Sequence, residues 1–417
     1  MANYNKKLKY DLIVIGGGPS GMMATGVAVE KGKKVLLLEK NAELGKKLKI
    51  TGGGRCNITN ATFDTRKFLS KFGKSEQFLY STFSQFGIED TFDFFESRGL
   101  PLVTEARDRV FPKSQSALDV FRVMEKHITS KNITISKNNP VLKINKSENK
   151  ITSVETKKGI YTADNYIIAT GGASHTETGS TGDGFKWLKA LGHSIKTPSP
   201  NIVPLKISER WVKKLSGVTL SFMKITFFIN DKKAYSKTGK ILFTHFGVSG
   251  PLILNSAHRV ADLLHEGMVT AKIDCYPDTD ISSLEKNILN VFDKNKNKSF
   301  RNVAKDIAPA GLQNTILEFK IISDPSTKIH SISKEERHSL AQLLKALPMT
   351  ITGLMGMNRA VVSNGGVPLT EVDTKTMKSK IVDNLYLTGD ILNINRPSGG
   401  YSLQLCWTTG HVAGMLK

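Results

Sequence analysis

The residues most suited to chemistry lie near the start of the 417-residue chain, where Gly16-Gly17-Gly18-Pro19-Ser20-Gly21 has the spacing G-x-G-x-x-G. The apolar run 10–15 before it predicts a buried strand of a parallel sheet. Residues 22–31, with small Ala24, Gly26 and Ala28, predict a helix that Gly32 ends. Residues 35–38 then predict a second strand, terminating at Glu39. Each part has a physical task in holding a dinucleotide. Gly16 permits the tight turn, Gly18 lets the backbone approach a pyrophosphate, and Gly21 lets helix and strand pack closely. Pro19 and Ser20 open the helix, whose free N–H groups and partial positive charge suit phosphate. Glu39, 18 residues past Gly21, is placed to accept from ribose hydroxyls.

The far end of the chain extends this to FAD. Residues 384–390 read as a short strand ending in Gly389-Asp390, an acid placed for the ribityl hydroxyls of a long cofactor. Residues 398–404 bring Gly399, Gly400 and Tyr401 before a helix from about 402 to 415, whose N-terminus would face flavin atoms that become negative on reduction. Residues 166–172 are another strand ending in glycines, with Ala169, Thr170 and Gly171 at its end. It follows a three-stranded excursion read at 133–136, 141–145 and 151–156. This order suits a flavoprotein of the glutathione-reductase type. No second strand–GxGxxG–helix unit follows, and no CxxC, so a transient NAD(P)H reductant would have to dock on another surface.

The segment 46–60, Lys-Lys-Leu-Lys-Ile-Thr-Gly-Gly-Gly-Arg-Cys-Asn-Ile-Thr-Asn, resembles the signature loop of the BaiN/RdsA family of FAD-dependent oxidoreductases. The runs 179–184, 244–251 and 389–401 resemble further motifs of that family, and together they span nearly the whole chain. Departures fall at 363–367 and 393–397, on the substrate side. The resemblance implies an α/β fold: a Rossmann-type FAD-binding domain with an inserted β-barrel-like domain and a small helical domain. The expected divisions are 1–200 for the first part of the FAD domain, 201–280 for the β-rich insertion, 281–348 for the helices, and 349–417 for the return to the β-rich and FAD-binding parts. The cofactor set expected beyond the residues above adds Lys40, Lys46, Gly54, Arg55, Cys56, Val141 and Leu403.

For catalysis the loop offers Arg55 as a fixed positive charge and Cys56 as a proton donor, its thiol poised by nearby charge. The competing reading makes Cys56 a small packing residue. His245, in Thr-His-Phe-Gly, reads as a turn histidine or a substrate contact, and Asp183 as a loop cap.

Composition bounds the partners. Cys56, Cys275 and Cys406 are too few and too scattered for a disulfide framework, and no cluster has metal-ligand spacing. No apolar run approaches a membrane span, residues 1–10 are polar and basic, and a cytoplasmic location is expected. The formal net charge is +22. Residues 206–240 hold nine basic residues against two acids, and 294–305 hold five against none. Lysine-rich composition alone would produce such runs, but clusters of this kind are what RNA docking requires. The resemblance implies either a ribosomal RNA dihydrouridine synthase, saturating the C5=C6 bond of a uridine in 23S RNA with Cys56 as acid, or an oxidoreductase of a small metabolite, an aminoacetone-like amine or an enone.

Overall fold

A computed structural model describes residues 9–416. Residues 1–8, read from sequence as a polar basic lead-in, and residue 417 lie outside the described residues. The chain divides into two compact units: one runs to Pro200 and resumes at Ala360, and the other is Asn201–Arg359.

The first unit begins with β1 (Lys9–Ile15), the helix α1 (Pro19–Glu30) and β2 (Val35–Leu38). A one-turn helix, α2 (Lys46–Ile50), follows, and α3 (Ala117–His127) crosses to β3 (Ile133–Ser136). Next come β4 (Val141–Ser147), β5 (Lys150–Thr156), β6 (Gly159–Ile168) and α4 (Asp183–Leu191). After the second unit the chain returns with β7 (Leu385–Leu387) and α5 (Tyr401–Gly414).

These strands make one seven-stranded sheet. Its parallel part has the order β3-β2-β1-β6-β7. Leu12–Ile15 and Val35–Leu38 are buried throughout, as continuous apolar strands covered on both faces must be. The excursion differs from its sequence reading. Residues 133–136 run parallel to β2, not within the antiparallel excursion, because α3 delivers them as the return of a β-α-β crossover. The excursion is instead β4, β5 and the first residues of β6, where Val154 faces Tyr161 and Thr156 faces Gly159.

α5 packs on α1 through small residues. A side chain at Gly410 would sit 2.5 Å from the Ser20 carbonyl oxygen, and one at Gly414 2.6 Å from that of Ala24. Trp407 of α5 is fully buried and donates its indole N–H to the Ile58 carbonyl at 3.1 Å. Thr409 accepts from the Gly389 amide at 3.0 Å, so the last helix fixes the turn after β7.

The second unit is built on a closed six-stranded barrel. Its strands run, around the ring, Leu205–Ile207, Gly247–Ser249, Lys232–Thr244, Thr219–Ile229, Val269–Asp274 and Leu347–Leu354. Ile225, Phe227, Ile241, Phe243 and Ile273 are buried, while the alternate positions lie toward water. The helices Ile281–Asp293, Phe300–Ile307, Gln313–Glu318 and Lys334–Lys345 form the connection between the last two strands of that ring. Leu347–Leu354 closes the barrel and removes its open edges. The segments read as separate β-rich and helical domains therefore share one unit. No helix among the described residues is long and apolar enough to cross a membrane.

Candidate functional site

The parallel strands β1, β2 and β6 end at an open cleft of about 1240 Å³, counting the space open to solvent, within the first unit. Ligands of open parallel sheets bind at such carboxyl ends, where the strand order reverses.

The centre of the cleft is the glycine turn. Gly16, Gly18, Pro19 and Ser20 line it. Gly16 holds a φ of +109°, and a Cβ there would lie 2.5 Å from the Ala169 carbonyl oxygen. Around a Cβ placed on Gly18 there is only open space, so backbone there is bare to an incoming group. Gly21 does not line the cleft; a side chain on it would overlap the Gly16 carbonyl oxygen. Its task is helix–strand packing, as its position in the motif requires. The first intrahelical bond of α1 is Met22 N–H to Gly18 O. The amides of Ser20 and Gly21 thus lie in the unsatisfied first turn, with Pro19 in the position that has no N–H to leave orphaned.

On the β2–β3 side stands Glu39. Its Oε2 accepts from Gly17 N–H and its Oε1 from Asn41 N–H, each at 2.8 Å. It is 8% exposed, and each carboxylate oxygen keeps a further lone pair for a ribose hydroxyl. Lys40 donates to Thr181 Oγ1 at 2.5 Å and pairs with Asp183 at 2.9 Å. Burial pushes the Asp183 carboxyl up, but hydrogen bonds from Lys40 and Thr181 and the Lys40 and Lys186 charges hold it below its ordinary range. Asp183 is thus a paired carboxylate at the start of α4. Val141 completes this side with Asn139 and Pro140.

The β6–β7 side is formed by Ala169, Thr170, Gly171, Asp390 and Leu403, with Thr51, Val361, Val362, Ser402 and Cys406. The Thr170 hydroxyl is buried with no hydrogen-bond partner among the described residues. Asp390 forms an ion pair with Arg396, which is 3% exposed and also donates to the Ile394 carbonyl and Ser402 Oγ. Lys46 donates to the Glu177 carbonyl and Lys47 to Ser174, so residues 40–47 are tied to 174–183 across the cleft mouth.

The signature loop goes elsewhere. Cys56 is 0% exposed and absent from the cleft wall. Burial drives its thiol well above the ordinary range. Arg55 pairs with Glu105, donates to Gln115 at 2.6 Å and covers the Phe111 ring at 4.2 Å. With its charge engaged there, nothing offsets the desolvation of the neighbouring thiol. Cys56 and Arg55, expected as acid and cation at the flavin, are thus not brought to this cleft: Cys56 is packed in the core and Arg55 braces the 105–115 segment. Gly54 lies exposed, its carbonyl accepting from Ala117. Gly399, Gly400 and Tyr401 also leave the cleft. A side chain on Gly400 would overlap the Thr59 carbonyl, and Tyr401 packs on Phe68 at 4.8 Å between ring centres. Gly389 does not line the cleft either; it turns beneath Asp390, against Ser20. In the second unit, His245 is exposed and stacks edge-on with Phe246.

The residues present fit an FAD. There is a bare helix N-terminus for the pyrophosphate, an acid with free lone pairs for a ribose, and, on the opposite side, the Asp390 carboxylate in the cleft wall. When bound, the flavin would supply two-electron redox chemistry. Of the residues missed from sequence, Lys47, Thr51 and Ser402 lie within the runs 46–60 and 398–404 without being singled out there, while Asn139 and Val361 carry no motif that spacing could reveal.

The sequence family described as HI0933-like protein Rossmann domain matches residues 10–416. A 3-dehydro-bile acid delta(4,6)-reductase of Clostridium scindens is 29% identical over 407 residues, covering 96% of this chain and 97% of its own. A ribosomal RNA dihydrouridine synthase of Escherichia coli K12 is 25% identical over 401 residues, covering 96% of each. Among solved structures, a 3-ketosteroid-delta4-(5alpha)-dehydrogenase from Rhodococcus jostii RHA1 shares the fold, with a TM-score of 0.53 at 13% identity over 99% of this chain and 97% of that one. The chain belongs to the HI0933-like family, and it is an FAD-dependent oxidoreductase.

Proposed function

We propose that this protein reduces a carbon–carbon double bond conjugated to a carbonyl, and that the bond is C5=C6 of a uridine in 23S ribosomal RNA. The names of the two relatives describe saturation of a double bond, in a bile acid and in uridine respectively. The uracil ring carries the same motif as an enone, a C=C beside a carbonyl.

The observation favouring RNA is where the charge lies. Of the nine basic residues in 206–240, all but Lys224 are exposed, as are all five in 294–305. Both runs belong to the second unit. Phe222, on the barrel strand Thr219–Ile229, is 74% exposed. Exposed lysines and an exposed aromatic ring on one unit suit phosphates and an unstacked base. A small uncharged substrate gains nothing from them.

In this reading the glycine turn and Glu39 hold the cofactor, and Asp390 with Thr170 orients its middle. The hydride donor is the bound flavin, recharged by NAD(P)H arriving transiently at a surface outside the glycine turn. The target uridine leaves its stack, at a cost of a few kcal/mol, which favours an accessible or immature RNA in the cytoplasm. Cys56 takes no part.

Mass mapping of 23S RNA from a deletion strain tests this. Loss of one dihydrouridine is expected, and an unchanged map overturns the RNA reading. The second reading, a small enone such as a steroid, is favoured by the 29% identity to the bile acid reductase. Anaerobic reoxidation of the reduced protein by candidate enones, and by amines in the reverse sense, tests it.

A further inference from the structure

Lys47 stands on α2 and lines the cleft with Asp390 and Cys406. Its Nζ donates to the Ser174 carbonyl at 2.8 Å and to Ser174 Oγ at 3.2 Å. Ser174 is fully buried, so the amine is held in one place. An ammonium has three protons, and these bonds use two.

The charges around it do not balance. Asp390 is already paired with Arg396. Glu177 is exposed and engaged with His175. Cys406 stays a neutral thiol, because burial raises it strongly. On this side of the cleft Lys47 and Arg396 therefore share the Asp390 carboxylate. The first turn of α5 adds to the same wall through Ser402 and Leu403, with N–H groups that have no helical partner. Burial pushes the Lys47 ammonium below its ordinary pKa, with Asp390, Cys406 and Glu177 opposing and Arg396 assisting. An anion placed in this side of the cleft would restore it.

The phosphates of FAD have their own cradle at α1, and Glu39 is placed for the ribose on the β2–β3 side. The parts left for the β6–β7 side are the ribityl chain, which Asp390 is placed to hold, and the flavin ring beyond it. Taking two electrons and one proton, the ring system gains one net negative charge. We propose that the Lys47 ammonium selectively stabilises this reduced, anionic flavin over the oxidised, neutral one. The inference rests on FAD binding alone and is independent of the substrate.

The test compares the affinities of oxidised and dithionite-reduced FAD for wild-type protein, Lys47→Gln and Lys47→Arg, with the flavin potential measured against reference dyes. In Lys47→Gln the affinity for reduced FAD should fall about tenfold or more beyond any fall for oxidised FAD, lowering the potential. Lys47→Arg should keep the wild-type ratio. An equal fall in both affinities would make Lys47 a strut for residues 174–183 and overturn the proposal, as would no change. Should Lys47→Gln fail to fold, sulfite probes the wild-type holoprotein. Its sulfur lone pair adds to flavin N5 and leaves the ring negative, so millimolar sulfite should bleach the flavin; no bleaching at any concentration overturns the proposal. Failure here leaves the RNA map untouched, so the two readings fall separately.

Discussion

Replacing Glu39 separates the two tasks of its carboxylate. In the apoprotein it accepts two backbone N–H bonds at 2.8 Å, from Gly17 and Asn41, while 8% exposed. Leaving a buried donor unsatisfied costs about 1–3 kcal/mol. Glu39→Ala should thus destabilise the apoprotein by about 1–3 kcal/mol through the buried Gly17 N–H, with less added by the half-buried Asn41. Glu39→Gln keeps one oxygen and turns an NH2 toward the other donor, for about half that cost. Both variants also lose a charged acceptor for the ribose, about 1.5–3 kcal/mol, or about tenfold to a hundredfold in FAD affinity. Urea unfolding of apoprotein reads the first quantity, and FAD titration of folded apoprotein reads the second. A Glu39→Gln protein that binds FAD within about twofold of wild type would refute the reasoning, because the acid would then be a brace for the glycine turn only.

Four further outcomes are expected. Gly21→Val should abolish FAD binding, read as colourless purified protein, because its side chain would overlap the Gly16 carbonyl oxygen. Cys56→Ala should retain turnover and bound flavin while losing about 1 kcal/mol of stability; loss of turnover in a folded, flavin-loaded variant would restore the thiol to the reaction. Burial lowers His127 from 6.5 to about 4, against the opposing pull of Glu30. Its unfolded form binds a proton that the folded form refuses, so stability should drop by about 3 kcal/mol as pH falls from 6.5 toward 4. Urea unfolding across that range should show a shallower decline in His127→Gln. Phe222 holds a φ of +58°, costly for a bulky residue, with its ring exposed. On the RNA reading, Phe222→Ala should leave stability within about 1 kcal/mol and weaken RNA binding, checked by filter binding at fixed salt.

The half of the cleft around the glycine turn was legible in sequence because its logic is local. Gly16, Gly18, Gly21 and Glu39 work through a turn, a helix terminus and a strand end within 24 residues, and each element forms beside its neighbour in the chain. The return at Asp390 was legible too, since a strand ending in Gly-Asp marks itself. Spacing could not assign residues 133–136 to their sheet, because a short apolar run pairs equally well in a parallel or an antiparallel sense, and only the delivery by α3 decides. Nor could it place the Gly52–Cys56 loop. Three glycines and a cysteine suit either a cofactor contact or a tight buried turn, and only the packed unit divides them, leaving Gly52, Gly53 and Gly54 exposed and Cys56 buried. Lys47 shows the same limit from the other side. Within the run 46–60 nothing distinguishes it from its neighbours Lys46 and Lys49. It becomes singular only when Ser174, Asp390, Arg396 and Cys406, from segments up to 359 residues away, close around it and remove the water that would otherwise screen its charge.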